Sequence, residues 1–426
     1  VVGTNQAVQS RALTDNALAA GAQNGMYSRP QRISLVLQGG GQRGIFTAGV
    51  LDAFLTHRFD PFELYFGTSA GALNMSAYVC QQYQYGYRFI TQLTTQERFF
   101  HLMKYVRRQH YMDLDWALDT ALPGKETALD MEAARHHLQN RYAYACATDV
   151  DSLQPAFFSL TEDSWPDALK ATCAIPLLYP HPVNIGEHRY VDGGVTAAIP
   201  AKEAFARGAD IIVVVRTEPV VEQEKRDDEN RRFLETLRER LETKKPQFKL
   251  SDYLSNFESK YRLARFETFQ KELSKQLGEL SERYKSGREQ LVSRVRDSMK
   301  EKAMQNGGRW LFGGDTIYRL QSLSGKPLNT EMLKMLTTHY QSYQSELQFL
   351  ASPPARTQVL QIAPSAPLQS SALLSKPEAL EADYQLGVSL GNQFLRQYGD
   401  SLVSLSSIDN PRFESTTVQM PHQGQS

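Results

Sequence analysis

Little in this chain invites a disulfide or a metal. Its 426 residues hold three cysteines, Cys80, Cys146 and Cys173, an odd and scattered set without Cys-x-x-Cys spacing. That argues against a disulfide framework and a zinc site, and it fits a reducing, cytoplasmic setting. Neither sign of charge dominates: 47 Lys and Arg balance 47 Asp and Glu, so no global field gathers nucleic acid or holds the protein on an anionic bilayer. No nucleic-acid partner is expected, and any membrane contact has to be local and peripheral. Long hydrophobic runs are missing too. The longest apolar stretches, such as Ile211 to Val215, fall far short of the roughly 20 residues that cross a bilayer. The first thirty residues, rich in Ala, Asn, Gln and Gly, lack the basic start and apolar stretch of a secretory signal.

What is present alternates. From Ile33 to Leu37 a β-branched and leucine run ends in Gln38-Gly39-Gly40-Gly41-Gln42-Arg43-Gly44, and apolar residues then recur at helical spacing through Leu55. A second short strand, Glu63 to Phe66, runs into Gly67-Thr68-Ser69-Ala70-Gly71, after which Leu73, Ala77 and Cys80 share one helix face. Strands are expected again at Tyr142 to Ala147, Arg189 to Val191 and Asp210 to Val215, with helices near Trp165 to Cys173 and from Pro200 to Gly208. This pattern predicts an α/β fold, a three-layer α/β/α core with a largely parallel sheet.

After Glu222 the composition changes. Lys, Arg and Glu crowd a region nearly free of Gly, and Leu250, Leu254, Phe257, Tyr261, Phe266, Phe269, Leu273, Leu277, Leu280 and Tyr284 form one apolar stripe. The chain therefore divides into a tail over 1–32, the core over 33–221, a charged helical insertion over 222–305, a small C-terminal α+β extension over 306–400 and a tail over 401–426. The extension is expected to carry a helix near Glu331 to Leu350, a strand from Gln358 to Ile362 and a helix from Pro377 to Tyr398. A charged amphipathic arm is a solvated strut, an interface for a protein partner, or a helix that lies on a membrane surface; the sequence leaves all three open.

Three pieces of sequence could carry chemistry. A serine becomes a nucleophile when a sharp turn lifts it clear of its strand, and in Gly67-Thr68-Ser69-Ala70-Gly71 small neighbours permit such a turn between strand and helix. Acyl transfer also needs N–H donors aimed at the oxygen that turns negative, a task that Gly39, Gly40 and Gly41 can perform, with Arg43 orienting the loop or holding an anionic head group. In Tyr190-Val191-Asp192-Gly193-Gly194 a carboxylate at a strand end is followed by two glycines that leave it open to a facing group. An ordinary Asp, with a pKa near 3.9, is a weak base, so desolvation or a hydrogen bond from Ser69 has to tune Asp192.

Each piece has a plainer reading. The serine turn can be a capped strand-to-helix turn, and Asp-Gly-Gly can be a turn alone. Gly39-x-Gly41-x-x-Gly44 with Asp60 about twenty residues on is also a dinucleotide fingerprint. Against that last reading, Asp60 precedes the second strand, whereas a ribose-binding acid should end it. His181 and His188 lie close to Asp192 in sequence and keep a Ser-His-Asp triad in view.

Taken in order, Gly-Gly-Gly-x-Arg-Gly, then Gly-x-Ser-x-Gly, then Asp-Gly-Gly resembles the patatin-like phospholipases, and Ala171 to Pro180 looks like that family's small-residue and proline stretch. The resemblance spans about Ile33 to Val215 and is nearest to cytoplasmic bacterial members with an extra C-terminal domain; the 222–305 arm departs from them. It implies lipid acyl-ester hydrolysis through an acyl-enzyme, without cofactor or metal. Ser69 and Asp192 would form a dyad beside an oxyanion hole in the glycine loop, with Gly40 and Gly41 the foremost donors. Arg43, Gly44, Gly67, Gly71, Gly193 and Gly194 would support it. A non-catalytic lipid-binding scaffold that keeps the elbow only as a turn is the alternative from another class.

Overall fold

The computed structural model describes residues 29–101, 112–125, 127–176, 178–220 and 330–408. The charged arm over 222–305, with its apolar stripe, lies outside the described residues, as does most of each expected tail.

Strands of β-branched and leucine residues buried on both faces build the centre. β1 (Ile33–Leu37) and β7 (Ile211–Val215) have no exposed position, as strands covered by helices on both sides require. Between them in sequence come helix α1 (Gly44–Thr56), β2 (Leu64–Thr68), α2 (Ala70–Val79), β3 (Tyr142–Asp149), β4 (Pro155–Ser159), α3 (Trp165–Cys173), β5 (Val183–Ile185), β6 (His188–Asp192) and α4 (Ala201–Ala206). After β7 the described chain resumes in α5 (Thr330–Ala351), β8 (Gln358–Ile362) and α6 (Pro377–Leu405). The strands form one eight-stranded sheet in the order β5-β6-β3-β2-β1-β7-β8, with β4 paired to β3. Neighbours from β3 through β8 are parallel, and β4, β5 and β6 enter antiparallel.

The expected three layers are present. Ile33, Leu35 and Leu37 pack towards α1, α2 and α6, while Val36, Phe66, Ile212 and Val214 pack on the other face towards α4 and α5. The C-terminal segment, expected as an extension, adds β8 to the core sheet along Ile211↔Gln358 to Val215↔Ile362. It also lays α6 over α1, which leaves nearly all of α1 buried. The two helices come close because Gly49 and Gly387 lack side chains: a β-carbon at either would strike a backbone oxygen of the other helix. The Tyr384 hydroxyl donates to Asp52 Oδ2 at 2.8 Å across the same seam.

The described residues at the inner edges of both expected tails join the fold. Helix α6 runs past Tyr398 to Leu405 because Leu402 and Leu405 are buried. Gln31 N–H donates to the Leu405 carbonyl at 2.6 Å, and Ser407 N–H donates back to Gln31 at 2.9 Å. Backbone pairing between the two chain ends thus draws in residues that composition alone marks as loose.

Among the described residues no helix is long and apolar enough to cross a membrane.

Candidate active site

Registers in the sheet bring Ser69 and Asp192 together. β3 pairs with β2 along 142–146 and with β6 along 147–149, while β4 covers 144–148. A strand has two sides, so β2 and β6 share one and β4 takes the other. β2 climbs and antiparallel β6 descends in the same lane, and their C-terminal ends meet where Thr68 lies opposite Cys146 and Asp192 opposite Ala147. The site therefore sits at the carboxyl ends of the parallel strands, where open α/β sheets hold their ligands.

Ser69 occupies the turn that was expected to lift it. Its φ of 54° and ψ of −128° fall in a region that non-glycine residues avoid, at a cost of roughly 1–3 kcal/mol. The surroundings enforce it. Ser69 N–H donates to Thr172 Oγ1 at 2.8 Å, and Thr172 in turn donates to the Cys146 carbonyl. Thr68 Oγ1 donates to the Ala197 carbonyl at 2.7 Å. A β-carbon at Gly67 would overlap the Ala72 backbone, one at Gly71 the Leu37 carbonyl, and one at Gly193 the Cys146 carbonyl. Gly67, Gly71 and Gly193 thus have their place through close approach.

Asp192 is buried, with 1% of its surface exposed. Oδ1 accepts the Gly194 N–H at 2.7 Å, which leaves Oδ2 buried without a partner of regular hydrogen-bond geometry among the described residues. Burial pushes the carboxyl pKa up to about 7, against the pull of the Gly194 N–H and the Ser69 hydroxyl. The Cys173 thiol stands against the same hydroxyl, and burial drives its pKa far up, so it remains a protonated, inert neighbour.

The glycine loop narrows on inspection. Gly39 N–H already donates to the Ala198 carbonyl at 3.2 Å, which removes Gly39 from the three expected oxyanion donors. Gly40 and Gly41 keep amides without an acceptor among the described residues. Gly41 has a φ of +56°, and a β-carbon there would collide with the Ala372 carbonyl, so glycine is required on two counts. Helix α2 opens at Ala70, and its first amides face outwards from the helix end as those of any helix do. Sequence reasoning gave Ala70 only the part of a small neighbour that makes room for the turn, and it passed over Thr172, although both fall inside stretches it had singled out.

Arg43 orients the loop and is not a free head-group ligand. Its side chain is buried, with Nη1 on Glu218 Oε1 at 2.8 Å and Nε directed to the Gly40 carbonyl at 3.5 Å. Burial alone would raise the Glu218 pKa, but the Arg43 charge, the hydrogen bonds from Tyr343 and Arg43 and the Arg216 charge together outweigh it and hold that carboxylate low. Gly44 accepts the Asn74 side-chain amide at 2.9 Å, which ties the loop to α2.

The competing constellations are not assembled. His188 is exposed and meets Asp149 Oδ2 at 3.1 Å, and His181 is exposed, so neither serves Ser69. Asp60, the acid of a dinucleotide reading, is buried at the other end of β2, where it accepts from Tyr65 and Arg141 at 2.6 Å each.

An α/β/α hydrolase with a serine elbow at the carboxyl edge of its sheet is the class that this arrangement defines. Residues 35–205 match the family model for patatin-like phospholipase, and the chain belongs to that family. Residues 329–403 match a second family model, a domain of unknown function (DUF6363). An uncharacterized Escherichia coli protein, YjjU, is 33% identical over 374 residues, which cover 88% of this chain and 80% of that one. Among solved structures, that of VipD from Legionella pneumophila aligns with 86% of this chain and 67% of its own at 12% identity and a TM-score of 0.34. Family membership supports lipid-ester hydrolysis as the general activity and a lipid as the substrate.

Proposed function

We propose that the protein hydrolyses acyl esters of lipids through a Ser69–Asp192 dyad. The observation that carries this reading is the Asp192 carboxyl, buried and tuned to about 7, with one oxygen fixed by Gly194 and the other unfilled beside a serine held at a positive φ. Asp192 takes the Ser69 proton as the hydroxyl oxygen attacks the ester carbonyl. The amides of Gly40, Gly41 and Ala70 receive the oxyanion. Collapse of the tetrahedral adduct expels the alcohol, which leaves with the proton from Asp192. Water, deprotonated by the same carboxylate, then attacks the acyl-serine, and the fatty acid departs as Ser69 recovers its proton. No metal or cofactor enters a step.

Three free cysteines accord with a cytoplasmic setting, and peripheral contact gives access to lipid. The catalytic unit is assigned to 33–221, and the 222–305 arm to contact with a protein partner or a membrane surface.

Incubation with a fluorophosphonate probe and a short-chain nitrophenyl ester tests the reading. Wild type is labelled at Ser69 and turns over, whereas Ser69→Ala does neither. An unlabelled wild type, or an alanine variant at full rate, would leave only a lipid-binding scaffold.

A further inference from the structure

The segment that matches a domain of unknown function reaches both halves of the site. Beyond β8 the chain folds back over the glycine loop, where the Ala372 carbonyl accepts Gln42 N–H at 2.8 Å and lies against the Gly41 α-carbon. Ser375 N–H donates to Gln42 Oε1 at 2.8 Å, while Gln42 Nε2 donates to the Thr94 carbonyl and hydroxyl at 3.1 Å each. Gln42, 2% exposed, is thereby gripped from two sides. The turn over 369–375 is anchored in its turn by α6, whose buried Asp383 accepts the N–H groups of Gln369 at 3.2 Å and Ser370 at 2.6 Å.

On the opposite face of the sheet α5 holds the acid. His339 Nδ1 meets the Gly194 carbonyl at 2.5 Å, in the residue whose N–H fixes Asp192 Oδ1. Glu346 Oε2 accepts Ile199 N–H at 3.0 Å on the same stretch. Tyr343 donates to Glu218, which pairs with Arg43 beneath the glycine loop.

A sheet extension needs only the β7–β8 ladder and an apolar face. These contacts go further, since α5 side chains reach the Gly194 and Ile199 backbone beside the aspartate turn, and the turn between β8 and α6, itself held by Asp383, reaches Gln42 in the glycine loop. We infer that the 330–403 segment is the positioning element of the site, with His339 setting the Asp192 turn and the Asp383-anchored turn setting the oxyanion loop through Gln42. The inference rests on the dyad reading for its catalytic consequence, and its mechanical content stands apart from it.

The test uses the full chain and four variants: Asp383→Ala, Asp383→Asn, His339→Leu and His339→Asn, the last with an amide nitrogen where Nδ1 stood. Amide hydrogen exchange is followed in peptides spanning 38–44 and 190–198, together with kcat and KM on a short-chain nitrophenyl ester. Asp383→Ala should quicken exchange in the glycine-loop peptide and lower kcat about tenfold, because small displacements at a reacting centre cost rate, with KM within about twofold. His339→Leu should act likewise on 190–198, and His339→Asn should recover most of the lost kcat. If Asp383→Ala does not fold, Asp383→Asn, which keeps one acceptor, takes its place with the same expected direction. Folded variants with wild-type exchange in both peptides overturn the inference, as does a loss that His339→Asn fails to recover. A wild-type chain that cleaves no ester sinks the dyad reading instead; exchange then decides whether the segment holds the two loops, and unchanged exchange overturns that as well.

Discussion

The stretch from β1 to β7 and the stretch from α5 to α6 contribute to one sheet and one site in opposite ways. The first carries the proposed chemistry on short loops at strand ends: the glycine loop after β1, the serine turn after β2 and the aspartate turn after β6. The second carries no such loop. It supplies an edge strand, a helix seated on α1 through glycine contacts, and polar side chains that end on backbone near the site. Reactive groups can be read from local spacing because a turn needs particular residues in a row. The groups that hold them come from remote segments and leave no such mark.

The comparison breaks first at Asp192. Asp192→Asn keeps the acceptor for Gly194 N–H but cannot take a proton, so kcat/KM should fall on the order of a thousandfold. In the wild type the same group should give kcat/KM a rising limb with a midpoint near pH 7, measured on a neutral ester, because only the carboxylate is a base. Stability should move the other way. The folded-state pKa lies above the unfolded value of 3.8, so the folded chain retains this proton longer and loses stability as pH rises from about 4 to about 7. The asparagine variant escapes that loss, and thermal melts at pH 8 should find it the more stable of the two, with the gap closing below pH 4. A less stable variant at pH 8 would mean that the carboxylate is not costly where it lies.

Gly41→Ala comes next, with a drop of roughly a hundredfold in kcat. A side chain at φ +56° against the Ala372 carbonyl has to shift either the loop or the covering turn. Thr172→Val should lower kcat about tenfold and stability by about 1–3 kcal/mol, since Ser69 N–H and the Cys146 carbonyl both lose their partner; Thr172→Ser should restore both. In the C-terminal stretch, Gly387→Ala should lower the thermal midpoint, equivalent to about 1–3 kcal/mol of overpacking against Phe46. Smallest of all, His181→Ala and His188→Ala should leave ester hydrolysis within about twofold. A large loss at either histidine would bring back the triad.

Much of the site was legible for a physical reason. Gly67, Ser69 and Gly71 sit within five residues because a strained elbow must be surrounded by small groups, and the structure finds both glycines in close approach around a Ser69 at positive φ. The strand from Ile211 to Val215 was legible because a strand buried on both faces is uniformly apolar. Gly39 misled because three successive glycines look alike until one amide meets Ala198 across the fold. Between the two roles open to Arg43 the sequence could not choose, since its partner Glu218 lies 175 positions away. Nothing in local spacing marks Thr172, His339 or Asp383, whose roles depend on which backbone they reach.

Periodicity and turn chemistry, which act over a few residues, determined the strands, the helices and the three loops of the candidate site. Which loops would meet was decided by pairing: antiparallel β6 had to fall into the lane of β2 for Asp192 to face Ser69, and register is a property of two strands together. The tuning of Asp192 was decided there as well, because desolvation depends on everything that folds around a carboxyl and not on the residues beside it in the chain.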